Sequence, residues 1–356
     1  MLEAVHGIGE LLRSGWKPRR TLVFASWDAE EEGLIGSTEW GEQNEAALAN
    51  ATAYLNMDVA VSGSKFGASA VPSLKQFLRD VAKAVASPDG GTVYDGWKKA
   101  SSTEGSGPGS PQGSPQGSPQ KDTTTNGYAL PAAQAKPDVP VGDLGSGSDY
   151  TVFLQHLGVP ATDIGSTGPY GVYHSVFDNF QWFKKFADPT FVYEQQMARV
   201  YGIEAIRMAD ADVLPFDYEE YGKEITAYLD AARKKAEGRF GKQSPSFADA
   251  AEAAKHLEEA GARSLEREKR PPPDPAKLNQ ALRDAERAFL LPEGLPNRAW
   301  YRHAIYAPGQ YTGYAAVVIP GVNEAIDRGD VDVTREQLQV LTAALNRATK
   351  TLESGH

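Results

Sequence analysis

Carboxylates and one imidazole stand where three predicted strands end. They are, in chain order, Asp28, Glu30, Glu31, Asp58 and His174. In open α/β sheets the carboxyl ends of the parallel strands form the edge at which ligands bind, so these side chains are expected to converge. Glu, Asp and His suit zinc or a similar divalent ion. A neighbouring second carboxylate can take a proton from a water whose pKa the ion has lowered.

Each of these residues also has a simpler interpretation when it is taken alone. An acidic run after a strand often caps the next helix and complements its dipole. A single Asp at a strand end, such as Asp58, is often a turn residue. A lone His such as His174 is more often a hydrogen-bonded loop residue than a ligand. The combination at three strand ends favours a metal site.

The elements that would position these residues alternate between strand and helix. The apolar run 22–25 is typical of a strand covered on both faces. The further predicted elements are a helix in 33–44, a strand in 51–63, a helix in 71–86, a short helix in 149–158 and a strand in 159–166. This order predicts an α/β fold with a doubly wound, mostly parallel sheet.

The domain organisation follows from changes in composition. From about residue 190 the spacing of apolar residues becomes helical, and we predict an α/β domain over 1–211 and a helical domain over 212–356. A low-complexity insertion occupies about 99–140, and the tetrapeptide Gly-Ser-Pro-Gln occurs three times in its 101–120 part. That part has no large apolar residue and is expected to form a surface loop rather than core.

Composition excludes several classes of function. The 356 residues carry a formal net charge of -11, which argues against nucleic acid or anionic lipid as the main partner. There is no cysteine, so disulfides, thiol catalysis and Cys-ligated zinc are excluded. No run of apolar residues is long enough for a membrane segment, and the first residues do not resemble a signal peptide. The compartment stays undetermined; a secreted or periplasmic parent is a family-level expectation only.

Several longer stretches resemble one known family. They are TLVFASWDAEEEGLIGSTEW (21–40), AYLNMD (53–58), LGSGSDYTVFLQHLG (144–158) and YGVYHSVFDN (170–179). Together they are similar to the glutamate carboxypeptidase II branch of the two-zinc exopeptidases, which also contains the transferrin receptors. The resemblance implies a zinc peptidase domain that acts on peptides. It also implies a following helical domain that pairs two subunits into a homodimer.

The resemblance also implies roles for individual residues. Glu30 matches the general base, and Tyr173 matches a tyrosine whose hydroxyl stabilises the tetrahedral oxyanion. Glu31, Asp58 and His174 match zinc ligands. The expected function is metal-dependent exopeptidase activity on short peptides through a metal-activated water.

The expected substrate contacts depart from the family pattern. Gly147 and Ser148 match positions where a backbone and an Asn side chain of the family contact substrate, and Ser replaces that Asn here. Tyr314 matches one member of a glutamate-selective Lys-Tyr pair, but Gly313 replaces the Lys. Residues 158–175 contain no Arg that could bind an acidic side chain. A preference for C-terminal glutamate is therefore unsupported, and cleavage at either end of short peptides is expected.

Two family ligands have no counterpart in this chain. A His and the aspartate that bridges both zinc ions precede, in the family, the helix that residues 1–15 resemble. We therefore expect a peptidase domain that is incomplete at its N-terminus and a chain that is inactive by itself. Two alternatives remain open. One is a non-catalytic dimerisation or interaction module like the transferrin receptors, and the other is a chain that works with a separately encoded N-terminal piece.

Overall fold

A computed structural model describes residues 1–103, 139–311 and 313–355. The Gly-Ser-Pro-Gln repeats, and with them most of the predicted low-complexity insertion, lie outside the described residues. Within the described ranges, no helix is both long and apolar enough to cross a membrane.

The first half of the chain alternates short helices with strands. Its elements are α1 (Leu2–Arg13), α2 (Ile35–Gln43), α3 (Glu45–Leu48), β1 (Tyr54–Asn56), β2 (Lys65–Ala70), α4 (Pro72–Ala84), α5 (Val93–Thr103), a π-helical turn (Val152–His156), β3 (Ala161–Thr167), α6 (Phe180–Trp182) and a second π-helical turn (Phe183–Ala187). The helices predicted in 33–44, 71–86 and 149–158 are thus present, the last as a π-helical turn.

The described strands of the first half form a three-stranded sheet in the order β1-β3-β2. β1 pairs with β3 in parallel, and β2 pairs with β3 in the antiparallel sense. β3 is central and almost wholly buried, although its sequence ATDIGST contains four polar residues. The strands predicted in 51–63 and 159–166 are confirmed. The doubly wound, mostly parallel sheet is not confirmed, because the described sheet is small and mixed.

Residues 22–25 do not form the predicted buried strand. The segment 21–27 pairs with no strand in the described part of the chain, and Val23 is 72% exposed while Leu22 and Phe24 are half-buried. An apolar run becomes a strand only when a neighbouring backbone completes its hydrogen bonds. Side chains hold this segment instead, above all Trp27, whose indole Nε1 donates to the Tyr54 hydroxyl at 2.9 Å.

The second half is mainly helical, as the spacing of apolar residues predicts. Its elements are α7 (Val192–Asp210), α8 (Tyr218–Phe240), a 3-10 turn (Gly241–Gln243), α9 (Ala248–Glu268), α10 (Ala276–Arg287), the antiparallel pair β4 (Tyr306–Pro308) and β5 (Ala316–Val318), α11 (Pro320–Arg328) and α12 (Val331–Ser354). Asp217 and Asp330 cap α8 and α12, because each carboxylate accepts a hydrogen bond from a first-turn amide. The boundary at residue 211/212 stays a prediction.

A buried charged cluster joins the two halves. The Lys75 ammonium on α4 lies 2.9 Å from Asp143 Oδ1 and 2.8 Å from Glu224 Oε2 on α8. The Tyr228 hydroxyl lies 2.8 Å from the same Glu224 oxygen and 2.9 Å from the Tyr306 hydroxyl. Because both carboxylates share one buried cation, the cluster orients α4 against α8.

Candidate functional site

A compact turn presents Glu30 and Glu31. The Ile35 amide donates to the Ala29 carbonyl at 3.0 Å, and the Gly36 amide donates to the Asp28 carbonyl at 3.0 Å. A β-carbon at residue 36 would collide with that Asp28 carbonyl oxygen, so only Gly allows the turn to close. Ala29 itself has a φ of 54°, an uncommon left-handed conformation for a residue with a side chain.

An aromatic cluster anchors the segment that leads into this turn. Trp27 lies 5.2 Å from Trp40 and 5.8 Å from Phe153, measured between ring centroids. The Tyr54 ring stacks on Phe153 at 4.0 Å. Since Tyr54 begins β1 and Phe153 lies in a π-helical turn, the cluster connects the acidic turn to the sheet.

Glu31 and His174 meet across the site. His174 Nε2 lies 3.1 Å from Glu31 Oε1, although the two residues are far apart in the sequence. The Tyr173 ring stacks on the His174 imidazole with centroids 3.7 Å apart. His174 has a φ of 57°, and left-handed backbone of this kind at a non-glycine residue is often found at functional sites. Burial raises the pKa of Tyr173 to about 12, so its hydroxyl stays a donor at neutral pH.

Glu30 lies in an environment that favours its protonated form. Partial burial, together with the charges of Asp58 and Glu31, raises the pKa of the Glu30 carboxyl to about 7, although His174 acts in the opposite direction. A base whose pKa lies near neutral pH can both accept and return a proton. The electrostatics of Glu30 are therefore consistent with the predicted role.

Asp58 follows β1 and lies beside Ser148. Burial raises the pKa of Asp58, and a hydrogen bond that its carboxylate accepts from the Ser148 side chain lowers it. Ser148 is itself buried, and its Oγ lies 3.0 Å from Asn56 Nδ2. Protein groups therefore satisfy the Ser148 hydroxyl, and its substrate contact stays a prediction.

The other predicted substrate residues lie beside this cluster. The Gly147 amide donates to the Tyr150 hydroxyl at 3.2 Å. The Tyr314 carbonyl accepts from the Ser146 amide at 3.0 Å, which holds the loop before β5 against residues 145–148. The Tyr314 side chain is half-exposed and near enough to Tyr173 to affect its pKa. Nothing in this geometry assigns a ligand to Gly147 or Tyr314.

The sequence reasoning missed two carboxylates at the site. Burial raises the pKa of Asp149, while a hydrogen bond with the Ser37 side chain lowers it. Burial raises the pKa of Asp163, in the middle of β3, to about 7. Asp163 could have been found from the sequence, because an acidic residue inside a predicted buried strand is unusual.

The donor set fits a divalent ion in its chemistry. Oxygen and imidazole donors from Glu31 and His174 are paired, and both residues lie near enough to Asp58 to affect its pKa. In the part of the chain that the structure describes, no group of three or more His, Asp or Glu side chains is close enough to share an ion. The geometric support for the site is therefore the contact between Glu31 and His174, and the role of Asp58 stays a prediction.

Two family profiles match the chain in succession. Peptidase family M28 matches residues 1–188, and the transferrin receptor-like dimerisation domain matches residues 233–353. The first match contains Glu30, Glu31, Asp58, Tyr173 and His174, the residues for which the sequence predicts catalytic and metal-binding roles.

Individual relatives agree with these matches. A probable glutamate carboxypeptidase LAMP1 of Arabidopsis thaliana is 37% identical over 335 residues, which are 92% of this chain and 43% of the relative. A probable glutamate carboxypeptidase of Arthroderma benhamiae is 35% identical over 100% of this chain and 46% of the relative. Aminopeptidase NAALADL1 of Mus musculus is 31% identical over 99% of this chain and 47% of the relative. The chain thus spans slightly less than half the length of these relatives, and it belongs to peptidase family M28, in its glutamate carboxypeptidase II-like branch.

Proposed function

We propose that this chain contributes the acid–base and metal-binding residues of a metal-dependent exopeptidase that cleaves short peptides. The observation that carries the proposal is the convergence of Glu30, Glu31, Tyr173 and His174, with Asp58 beside them. The names of the relatives, which include carboxypeptidases and an aminopeptidase, support exopeptidase chemistry without deciding which end is cleaved.

Each of these residues would have a separate role in catalysis. Glu31, Asp58 and His174 would hold zinc, and a bound zinc ion supplies a water of lowered pKa and a Lewis acid for the scissile carbonyl. The Glu30 carboxylate would accept a proton from water and pass it to the leaving amine, which its near-neutral pKa favours. The Tyr173 hydroxyl, which stays protonated, would donate a hydrogen bond to the oxyanion.

The donors that the structure brings together predict weak metal retention. Glu31 and His174 are largely exposed, with 68% and 46% of their side-chain surface accessible, so water reaches both donors. A site of this kind lacks the enclosing ligands of a tight zinc site. We therefore expect the chain by itself to hold fewer than the two ions of the complete family site and to be poorly active.

The segments in which the resemblance places a cation for an acidic side chain contain none. Gly313 has a φ of 67° and no side chain, and residues 158–175 contain no Arg. We propose that the substrates are short peptides without a requirement for C-terminal glutamate.

The helical half supplies the proposed partner contact. Its match to the transferrin receptor-like dimerisation domain supports a homodimer of this chain. The same match also fits the alternative function, a non-catalytic interaction module. Sedimentation or light scattering tests the dimer, and the zinc and hydrolysis measurements separate the enzyme from the alternative.

Zinc titration by calorimetry and a panel of unblocked dipeptides test the proposed function. His174→Ala should weaken zinc binding about tenfold or more. His6→Ala removes an exposed imidazole on α1 that also lies beside acidic groups, and it should leave the affinity unchanged. At saturating zinc, Glu30→Gln should lower the rate of hydrolysis by about 10²–10⁴-fold. Glu32→Gln, which changes an exposed carboxylate two residues away, should leave the rate unchanged.

Three outcomes would change these conclusions. Two tightly held zinc ions per chain after dialysis would contradict the expected weak retention. Equal zinc affinity in wild type and His174→Ala would refute the assignment of the ligand. No zinc binding and no hydrolysis at saturating metal, together with a stable dimer, would favour the non-catalytic module.

A further inference from the structure

A line of buried hydrogen bonds runs from Asp163, in the centre of the sheet, to Ser148. Asn56 Nδ2 lies 2.9 Å from Asp163 Oδ1 and 3.0 Å from Ser148 Oγ. The Ser148 side chain in turn lies near enough to the Asp58 carboxyl to lower its pKa. Asn56, Asp163 and Ser148 are each at most 5% exposed, so water does not compete for these groups.

The strand register creates the first link of this line. β1 and β3 pair in parallel with Asn56 directly opposite Asp163. Side chains of opposed residues lie on the same face of a sheet and within reach of each other. Two residues after Asn56, the chain reaches Asp58 at the carboxyl end of β1.

The donor and acceptor atoms of these side chains fix the direction of each hydrogen bond in the line. Asp163 Oδ1 accepts a hydrogen bond from Asn56 Nδ2, so the nitrogen of the Asn56 amide, rather than its oxygen, faces Asp163. The second hydrogen on that nitrogen is then available to Ser148 Oγ. Because Ser148 accepts from Asn56, its own hydroxyl hydrogen is free to point at Asp58.

Loss of Asp163 would remove this constraint. An Asn56 amide without its carboxylate partner could turn its oxygen toward Ser148, which would then donate to Asn56 and leave Asp58. Asp163 is also a costly residue to bury in a strand, since an acidic group buried with few partners destabilises the folded state.

We propose that Asp163 is a positioning residue for the metal site: through Asn56 and Ser148 it holds the Asp58 carboxylate in the orientation that binds the ion. The proposal rests on the proposed function, because it takes Asp58 as a ligand. It also gives the Ser148 side chain a structural role, that of orienting Asp58. Partners that orient a metal ligand typically change metal affinity by about 10–100-fold when they are removed.

Zinc affinity measured by calorimetry on the full chain is the first test. Asp163→Leu and Ser148→Ala should each weaken zinc binding about tenfold or more, and the double variant should be no weaker than the worse single one, because both act through one line. Asp163→Asn keeps an oxygen that can accept from Asn56, and it should bind zinc nearly as wild type does.

A matched control separates positioning from general damage to the sheet. Thr162 is the neighbour of Asp163 on β3 and is also buried, and its hydroxyl donates to Glu204 at 2.6 Å. Thr162→Val removes a buried hydrogen bond from the same strand without touching the line to Asp58. It should lower the stability of the chain but leave zinc affinity unchanged.

A second test needs no metal. In the metal-free chain with ¹⁵N-labelled asparagine, the two Asn56 side-chain hydrogens should exchange slowly with solvent, and Asn56→Ala identifies their signals. Asp163→Leu should remove this protection, and Asp163→Asn should keep it.

The two tests distinguish failure of the inference from failure of the proposed function. Freely exchanging Asn56 hydrogens in wild type, or wild-type zinc affinity in Asp163→Leu, would overturn the inference and leave the peptidase proposal intact. Protection that depends on Asp163 in a chain that binds no zinc would overturn the metal site instead. Equal losses of affinity in Asp163→Leu and Thr162→Val would show that Asp163 acts only through stability.

Discussion

Lys75→Met tests whether the buried cluster holds the two halves of the chain together. The Lys75 side chain is only 6% exposed and contacts Asp143 and Glu224 at 2.9 and 2.8 Å. Removing the ammonium leaves two carboxylates without their shared cation. Breaking a buried ion pair in this way costs roughly 3–5 kcal/mol. That is a large fraction of a typical unfolding free energy of about 5–15 kcal/mol.

Lys83→Met on the same helix is the matched control. Lys83 lies 3.0 Å from Asp80, but its side chain is 43% exposed, so the loss should be at most about 1 kcal/mol. Equilibrium unfolding in urea, followed by tryptophan fluorescence and by circular dichroism, measures both variants. Coincident transitions for the two probes would support a single cooperative unit.

The pH dependence supplies an independent check. Burial raises the pKa of Glu224, and Lys75 counteracts that rise, so the pKa should increase further in Lys75→Met. The folded variant would then bind more protons than the unfolded chain between the unfolded and folded pKa values. Its stability deficit should therefore shrink from pH 8 to pH 5. A loss in Lys75→Met no greater than in Lys83→Met at pH 8 would refute the reasoning.

Two further predictions concern the sheet and the acidic turn. Burial raises the pKa of Glu204 to about 8, so the folded chain keeps a proton that the unfolded chain loses near 4.5, and wild-type stability should fall as pH rises between these values. Glu204→Gln should remove this slope and be more stable than wild type at pH 9, on the order of 5 kcal/mol at about 1.4 kcal/mol per pKa unit, but not at pH 4. A pH profile of thermal unfolding parallel to that of wild type would contradict this. Gly36→Ala should destabilise the chain by about 1–3 kcal/mol, because the new β-carbon collides with the Asp28 carbonyl. Gly7→Ala in α1 meets open space and should stabilise the chain by about 0.5–1 kcal/mol, so equal effects of the two substitutions would count against the packing of the turn.

Much of the candidate site could be predicted from local sequence. Asp58 follows an apolar run, His174 follows another, and Glu30 and Glu31 precede a helix. The structure brings Glu31 and His174 together at 3.1 Å. The sheet-edge rule holds for Asp58, which follows β1, whereas Glu30 and Glu31 follow a segment that pairs with no described strand.

Other features depend on partners that are distant in the sequence. The apolar run 22–25 reads as a strand, yet no described backbone pairs with it. Lys75 lies in an amphipathic helix where a solvated lysine would be expected, yet it is buried between Asp143 and Glu224. Periodicity reports which residues are apolar, and it does not report which element covers them.

The sequence by itself therefore determined most of the helices, the strands in 51–63 and 159–166, the family, and the chemical types gathered at the site. Only the tertiary structure decided that β2 runs antiparallel, that Asn56 lies opposite Asp163, and that Ser148 lies beside Asp58. The reason is physical. Residue type and spacing act within a few residues, whereas register, burial and the direction of a buried hydrogen bond depend on groups that meet only after the chain has folded.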